Sequence, residues 1–166
     1  ARSGKSAYAE ARVLASRAKR KRALYLATAE PGDREMRARI AAHRARRGPA
    51  WTTHEEPLDL ASAIDARAAQ GAPILVDCLT LWLSNLMHAK ADIDAETENL
   101  CAALARAKGP VVLVSNEVGL GIVPDNALAR RFRDEAGRLH QRVAQVARDV
   151  VFVAAGLPLA LKGKTK

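Results

Sequence analysis

Four short apolar runs limit what this chain can fold into: ALYLATA at 23–29, PILVDC at 73–78, PVVLVSN at 110–116 and VVFVA at 150–154. Each has strand length and lacks the apolar–polar alternation of a half-exposed strand, which is the pattern of strands buried on both faces. A fifth run, at 158–162, follows the last of them. Between the runs lie stretches that read as helices, at 5–19, 33–47, 58–70, 79–88, 94–107 and 126–148. Such alternation predicts an α/β fold, with a mostly parallel sheet covered by helices on both faces. The chain has 166 residues and no low-complexity linker, and Gly48-Pro49 and Gly71-Ala72-Pro73 read as turns rather than boundaries. We read 1–166 as one domain.

Charge and cysteine content narrow the function. The net charge of +9, from 27 Lys+Arg against 18 Asp+Glu, suits polyphosphates, nucleic acid or simply a solvated basic surface. Aromatic residues are 4% of the chain, too few for the stacking platforms of single-strand binders, so no nucleic-acid partner is expected. Cys78 and Cys101 have neither CxxC nor metal-ligand spacing. They suggest a reducing, cytoplasmic setting rather than a disulfide framework. No apolar run reaches the roughly 18 residues of a membrane span.

The chemistry starts at Ser3-Gly4-Lys5-Ser6, the end of the phosphate-loop pattern G-x-x-x-x-G-K-[ST]. In that motif, backbone N–H groups at a helix N-terminus surround the phosphates of a nucleotide. Lys5 would reach the outer phosphates, and the Ser6 hydroxyl would bind Mg²⁺. The motif's first glycine and its strand fall before Ala1, so we expect a sequence that starts inside a longer protein, and a sheet with a gap at that strand. Taken alone, SGKS also fits a serine-capped helix start carrying a lysine. A second signal supports the nucleotide reading: Asp77 ends the run Ile74-Leu75-Val76, where a parallel strand would present a carboxylate to Mg²⁺.

His43 lies among Arg39, Arg44, Arg46 and Arg47. A strong positive field disfavours the imidazolium and leaves the ring neutral and nucleophilic. The same arginines would hold a triphosphate and stabilise a leaving pyrophosphate. A solvated basic helix face is the simpler explanation of the pattern by itself. His54, His88 and His140 have no such setting and read as structural or surface residues.

Together the motifs resemble the bifunctional adenosylcobinamide kinase/adenosylcobinamide-phosphate guanylyltransferase family. The stretches that carry the resemblance are ARSGKS (1–6), YLATA (25–29), EM-x-x-RI-x-x-H (35–43), W-x-T (51–53), VDCLTLWLSNL (76–86), VSNEVGLGIVP (114–124), FRDEAGRLHQ (132–141) and AGLPLALK (155–162). The resemblance implies a P-loop NTPase of RecA-like fold, usually assembled as a homotrimer. It also implies two reactions. ATP or GTP phosphorylates adenosylcobinamide, and GMP from GTP is then transferred to adenosylcobinamide phosphate by way of a histidine at the position of His43. The nucleotide contacts it implies are Gly4, Lys5, Ser6, Ala27, Thr28, Ala29, Arg44, Ala45, Arg46, Arg47, Glu55 and Asp77, with Ser6 and Asp77 on Mg²⁺. The family's usual asparagine in GR-x-NQ is His140 here, so its polar contact does not carry over. VSNEVGLGIVP, Gly-rich and following a strand, is a candidate corrinoid loop. Two other readings remain open. A different P-loop small-molecule kinase would need only Lys5, Ser6 and Asp77, with no histidyl intermediate. A basic nucleic-acid module would leave Asp77 and the buried runs unexplained.

Overall fold

The apolar runs at 23–29, 73–78 and 110–116 become strands of a sheet whose two faces are both covered. The structure is a computed structural model that describes residues 2–16, 22–30, 34, 41, 47–68 and 71–164. In chain order its elements are α1 (Lys5–Ser16), β1 (Ala23–Ala27), β2 (Trp51–Glu55), α2 (Leu60–Ala68), β3 (Ile74–Asp77), α3 (Leu79–His88), α4 (Ile93–Arg106), β4 (Val111–Val114), α5 (Ala127–Val146), β5 (Val150–Ala154) and β6 (Leu157–Lys162). Strands β2-β1-β3-β4 form a parallel sheet in that order. This is the α/β architecture expected from the alternation.

Strand pleating divides the core in two. Leu24, Leu26, Ile74 and Val76 point to one side and pack with Leu60 and Ile64 of α2, Leu83 and Leu86 of α3, Leu100 of α4 and Leu139 of α5. Ala23, Tyr25 and Leu75 point to the other side and meet Ala9 and Val13 of α1, together with Trp51 and Val114. The helices on the first side carry their own start signals. Asp92 caps α4 by accepting from the Ala95 N–H at 3.1 Å, and Asn126 caps α5 by accepting from the Ala129 N–H at 2.7 Å. Along α4, Ile93, Thr97, Leu100 and Ala103 are buried, a spacing that keeps one stripe on the core. Leu100 is fully buried, and truncating it to Ala would cost about 2–5 kcal/mol.

Two features differ from the sequence reading. Residues 51–55 form edge strand β2, although WTTHE is not an apolar run. Only Trp51 is buried there, and the strand exists through its parallel pairing with β1. The final pair, β5 and β6, forms a separate antiparallel hairpin, turned at Ala155 and Gly156 with φ of 52° and 78°. Helix α1 packs against β3, β4 and β5, so it bridges the two sheets. The charged helix expected over 33–47 lies outside the described residues apart from Arg34, Ala41 and Arg47. Among the described residues, no helix is long and apolar enough to cross a membrane.

Candidate active site

The strand register collects the site. Glu55, Ala27, Asp77 and Val114 are successive partners across β2, β1, β3 and β4, forming one row at the carboxyl edge of the sheet. Ligands of open parallel α/β sheets bind outside this edge. The N-terminus of α1 meets the same edge. Gly4 has φ of +92°, a conformation that disfavours any side chain, and a Cβ there would lie 3.1 Å from the Gly156 Cα. The Gly156 N–H donates to the Ser3 carbonyl at 2.8 Å, fixing the loop against the β5–β6 turn. Lys5 and Ser6 then form the first turn of α1, both partly exposed. Burial raises the pKa of the Cys78 thiol at the head of α3, with smaller effects from the Asp77 carboxylate, which raises it, and the Lys5 ammonium, which lowers it.

Asp77 is held by a neighbour that the sequence reading did not assign. The Tyr25 hydroxyl donates to Asp77 Oδ2 at 2.8 Å. Burial, then the charge of Asp77 and its hydrogen bond, push the Tyr25 phenol far above its ordinary pKa, so this O–H remains a donor. Trp51 meets the Tyr25 ring edge-on at 5.9 Å, and the Arg47 guanidinium lies 3.5 Å from the ring centroid. Arg47 Nη1 also reaches Thr53 Oγ1 at 3.4 Å. Tyr25 stands two residues before Ala27, on the same face as Asp77. The period-2 pattern of β1 was the signal that could have found it.

Thr28 follows β1 and is bonded to the turn after β3. It is fully buried, and its hydroxyl donates to the Cys78 carbonyl and accepts from the Cys78 N–H, both at 2.8 Å. Its N–H donates to the Asp77 carbonyl at 3.3 Å, and its own carbonyl accepts from Asn85 Nδ2 at 2.8 Å. Thr28 therefore fastens β1 to the turn that carries Asp77. Ala27 and Ala29 flank it and are partly exposed, and Glu55 is exposed at the end of β2. His43, Arg44, Ala45 and Arg46 lie outside the described residues.

The stretch VDCLTLWLSNL is built to brace this edge. Cys78 opens α3, and burial raises its thiol pKa, which keeps it un-ionised and unreactive. Thr80 Oγ1 meets Cys78 Sγ at 3.2 Å and accepts from Asn116 Nδ2 at 3.0 Å. Trp82 Nε1 donates to the Leu58 carbonyl at 2.6 Å, and Asn85 Nδ2 also donates to the Pro57 carbonyl at 3.1 Å. A cleft of about 660 Å³ lies between α2, α3 and α4. Its lining includes Asp59, Ser62, Asp65, Glu96 and Arg106 and none of the expected site residues. Depth is a poor guide here, because a phosphate site is a backbone cradle at a helix end.

The family model of cobinamide kinase / cobinamide phosphate guanyltransferase matches residues 1–161. The chain belongs to this family. It is 49% identical over 166 residues to the bifunctional adenosylcobalamin biosynthesis protein CobP of Pseudomonas aeruginosa, covering 99% of this chain and 94% of that protein. It is 41% identical over 177 residues to the bifunctional adenosylcobalamin biosynthesis protein CobU of Salmonella typhimurium, covering 98% and 96%. The Escherichia coli protein of the same name is 39% identical, with the same coverage.

Proposed function

We propose that this single domain carries both reactions of its family at the edge where α1 meets β3. It phosphorylates adenosylcobinamide with ATP or GTP, then transfers GMP from GTP to give adenosylcobinamide-GDP and pyrophosphate. What supports the reading is Asp77 at the end of β3 and Gly4-Lys5-Ser6 at the start of α1, the helix packed against β3 and β4, in a chain matched to the family over residues 1–161.

In the first reaction the backbone N–H groups of the first turn of α1 hold the phosphates, and Lys5 offsets the charge that develops on the transferred group. The acceptor hydroxyl oxygen bonds to the γ-phosphorus as the bond to the leaving diphosphate breaks. In the second, His43 attacks the α-phosphorus of GTP and pyrophosphate leaves, with Arg44, Arg46 and Arg47 offsetting its charge. An oxygen of adenosylcobinamide phosphate then takes the GMP group and frees the histidine.

The residues fit Mg²⁺. This ion is bound through one or two carboxylates together with phosphate oxygens and water, rather than by an all-protein cage. Among the described residues no cluster of three or more His, Cys, Asp or Glu side chains gathers, whereas Asp77 stands at a strand end held by Tyr25. Asp77 and Ser6 would hold the ion, which would neutralise charge between the β- and γ-phosphates. Ala27, Ala29 and Glu55 line the nucleotide's approach, and Thr28 supports them from below. The loop after β4 is the platform for the corrinoid, because Val114 pairs with Asp77 and the chain rises from that point. We also infer a cytoplasmic homotrimer. Leu157, Leu159 and Leu161 stay exposed on the hairpin, apolar surface that an assembly would cover.

The test uses labelled ATP and adenosylcobinamide with the wild type and Lys5→Ala. The variant should lose phosphorylation by about 100-fold or more, the size expected when one preorganised charge contact is removed. Near-normal phosphorylation would refute the phosphate-loop assignment. Phosphorylation by the wild type without any guanylyl transfer would favour a kinase lacking the histidyl route.

A further inference from the structure

His140 makes a contact outside the phosphate site that the two reactions above do not use. Its Nε2 lies 2.6 Å from Ser115 Oγ, and its Nδ1 lies 3.9 Å from a carboxylate oxygen of Glu117. The ring sits on α5, more than 20 residues along the chain from both, and is about one quarter exposed. Burial lowers its pKa, and the nearby Glu117 charge opposes that shift, so the neutral ring is favoured. In the neutral tautomer that accepts at Nε2, the Ser115 hydroxyl donates to it and the Nδ1–H faces Glu117.

These contacts fall at the root of the loop that follows β4. Ser115 is the first residue after the strand, and the strand's last residue, Val114, is paired with Asp77. Asn116, next in line, donates to Thr80 on α3. Glu117 turns its other oxygen back on the loop and accepts from the Gly119 N–H at 2.6 Å. Val118 packs against the core, and beyond it Leu120 and Ile122 are 81% and 96% exposed. The loop is thus fastened at three consecutive residues, starting beside the strand end that carries Asp77, and presents bare apolar side chains.

We propose that His140 is a positioning residue for the corrinoid acceptor: through Ser115 and Glu117 it holds the root of the 115–124 loop so that Leu120 and Ile122 meet the apolar rim of the macrocycle. This rests on the reading of that loop as the corrinoid platform. Bare leucine and isoleucine suit a large ring system with a substantial apolar surface, and they offer nothing to a nucleotide's phosphates. The position next to Asp77 puts such a ligand beside the group it must receive. Replacing His140 should therefore weaken acceptor binding and leave nucleotide chemistry intact. The bond runs from Nε2, the atom that a glutamine amide reaches and an alanine does not, so His140→Gln is the rescuing variant.

The experiment measures KM for adenosylcobinamide, kcat, and GMP label on the full chain formed from GTP without acceptor. Losing one hydrogen bond is worth about 0.5–1.5 kcal/mol, roughly 2- to 12-fold. His140→Ala should raise the acceptor KM within that range, with kcat and GMP labelling within twofold of wild type. His140→Gln should recover most of the KM. Ser115→Ala removes the same bond from the loop side, should give a similar KM, and should add nothing when combined with His140→Ala. Leu120→Ser with Ile122→Ser should raise the same KM. An unchanged KM in both His140→Ala and Ser115→Ala would overturn the proposal, as would a KM rise matched by equal loss of GMP labelling. A double loop variant that dissociates the assembly with KM unchanged would show that the tip contacts another copy instead. A wild type unable to use adenosylcobinamide at all would refute the family function, a result distinct from any of these.

Discussion

Replacing Thr28 with Val separates a structural clamp from a ligand contact. The substitution keeps the shape of the side chain and removes only the hydroxyl. That hydroxyl is fully buried and makes two hydrogen bonds of 2.8 Å, one to each backbone polar group of Cys78. In the variant the Cys78 N–H loses its partner in a site closed to water, while the Cys78 carbonyl loses one of two and still accepts from the Trp82 N–H at 3.1 Å. Each hydrogen bond is worth about 0.5–1.5 kcal/mol net, and an unsatisfied buried group costs about 1–3 kcal/mol. Partial relaxation of the Asp77–Cys78 turn leaves a loss of about 2–4 kcal/mol. With a urea dependence of about 2 kcal/mol/M, the unfolding midpoint should fall by about 1–2 M. The assay is equilibrium urea unfolding of Thr28→Val beside wild type, together with nucleotide affinity measured well below the transition. A midpoint within about 0.2 M of wild type, about a tenth of the estimated loss at its upper end, would refute the clamp. A normal midpoint with weakened nucleotide binding would place the hydroxyl on the ligand.

Three further outcomes follow from the same geometry. Tyr25→Phe removes the donor to Asp77 Oδ2 and should lower the kinase rate about tenfold while raising the Mg²⁺ concentration needed, since a hydrogen bond to a charged group is worth about 1.5–3 kcal/mol; an unchanged Mg²⁺ titration would show that Asp77 needs no such support. Asp77→Asn should weaken Mg²⁺ dependence and slow turnover further, because it keeps the shape and removes the charge; full activity would make Asp77 a structural strand end. The His140 pKa is lowered by burial, so folding favours its neutral form, and that contribution, present above the ordinary value of about 6.5, is lost as pH falls through the lower folded-state value. Urea unfolding between pH 7.5 and 5 should then show a larger acid loss in wild type than in His140→Gln, and identical slopes would contradict the burial argument.

Much of this fold is written locally in the sequence. The runs at 73–78, 110–116 and 150–154 enclose β3, β4 and β5, and the helix expected at 79–88 is α3 with the same limits. Their signal is burial of the whole strand or of one helical stripe, which a single chain displays directly. Strand β2 was missed because its stabilisation lies in backbone pairing with β1, while Thr52, Thr53 and Glu55 remain exposed. The hairpin's direction depends on Ala155 and Gly156 both adopting positive φ, and only Gly156 hints at that.

SGKS at the start of α1 and the aspartate ending β3 are visible as motifs in the sequence, whereas contacts between distant residues are not. The Tyr25–Asp77, Thr28–Cys78 and Ser115–His140 contacts span 52, 50 and 25 residues. Side chains this far apart become neighbours only through strand register and helix packing. Thr28 shows the consequence: its place beside a nucleotide site follows from the resemblance, but its atoms are consumed in holding that site together. His140 shows the reverse, since a histidine with no local setting is given one by the loop after β4.

The central claim is that one histidine carries GMP between GTP and the corrinoid, and covalent labelling tests it most directly. Wild type incubated with α-labelled GTP and Mg²⁺, then denatured, should retain label that is released by acid and survives base, as a phosphoramidate does. His43→Ala should retain none and should lose guanylyl transfer, while Lys5-dependent phosphorylation of adenosylcobinamide continues. Label on His43→Ala at the wild-type level would contradict the account, because another residue would then be the carrier.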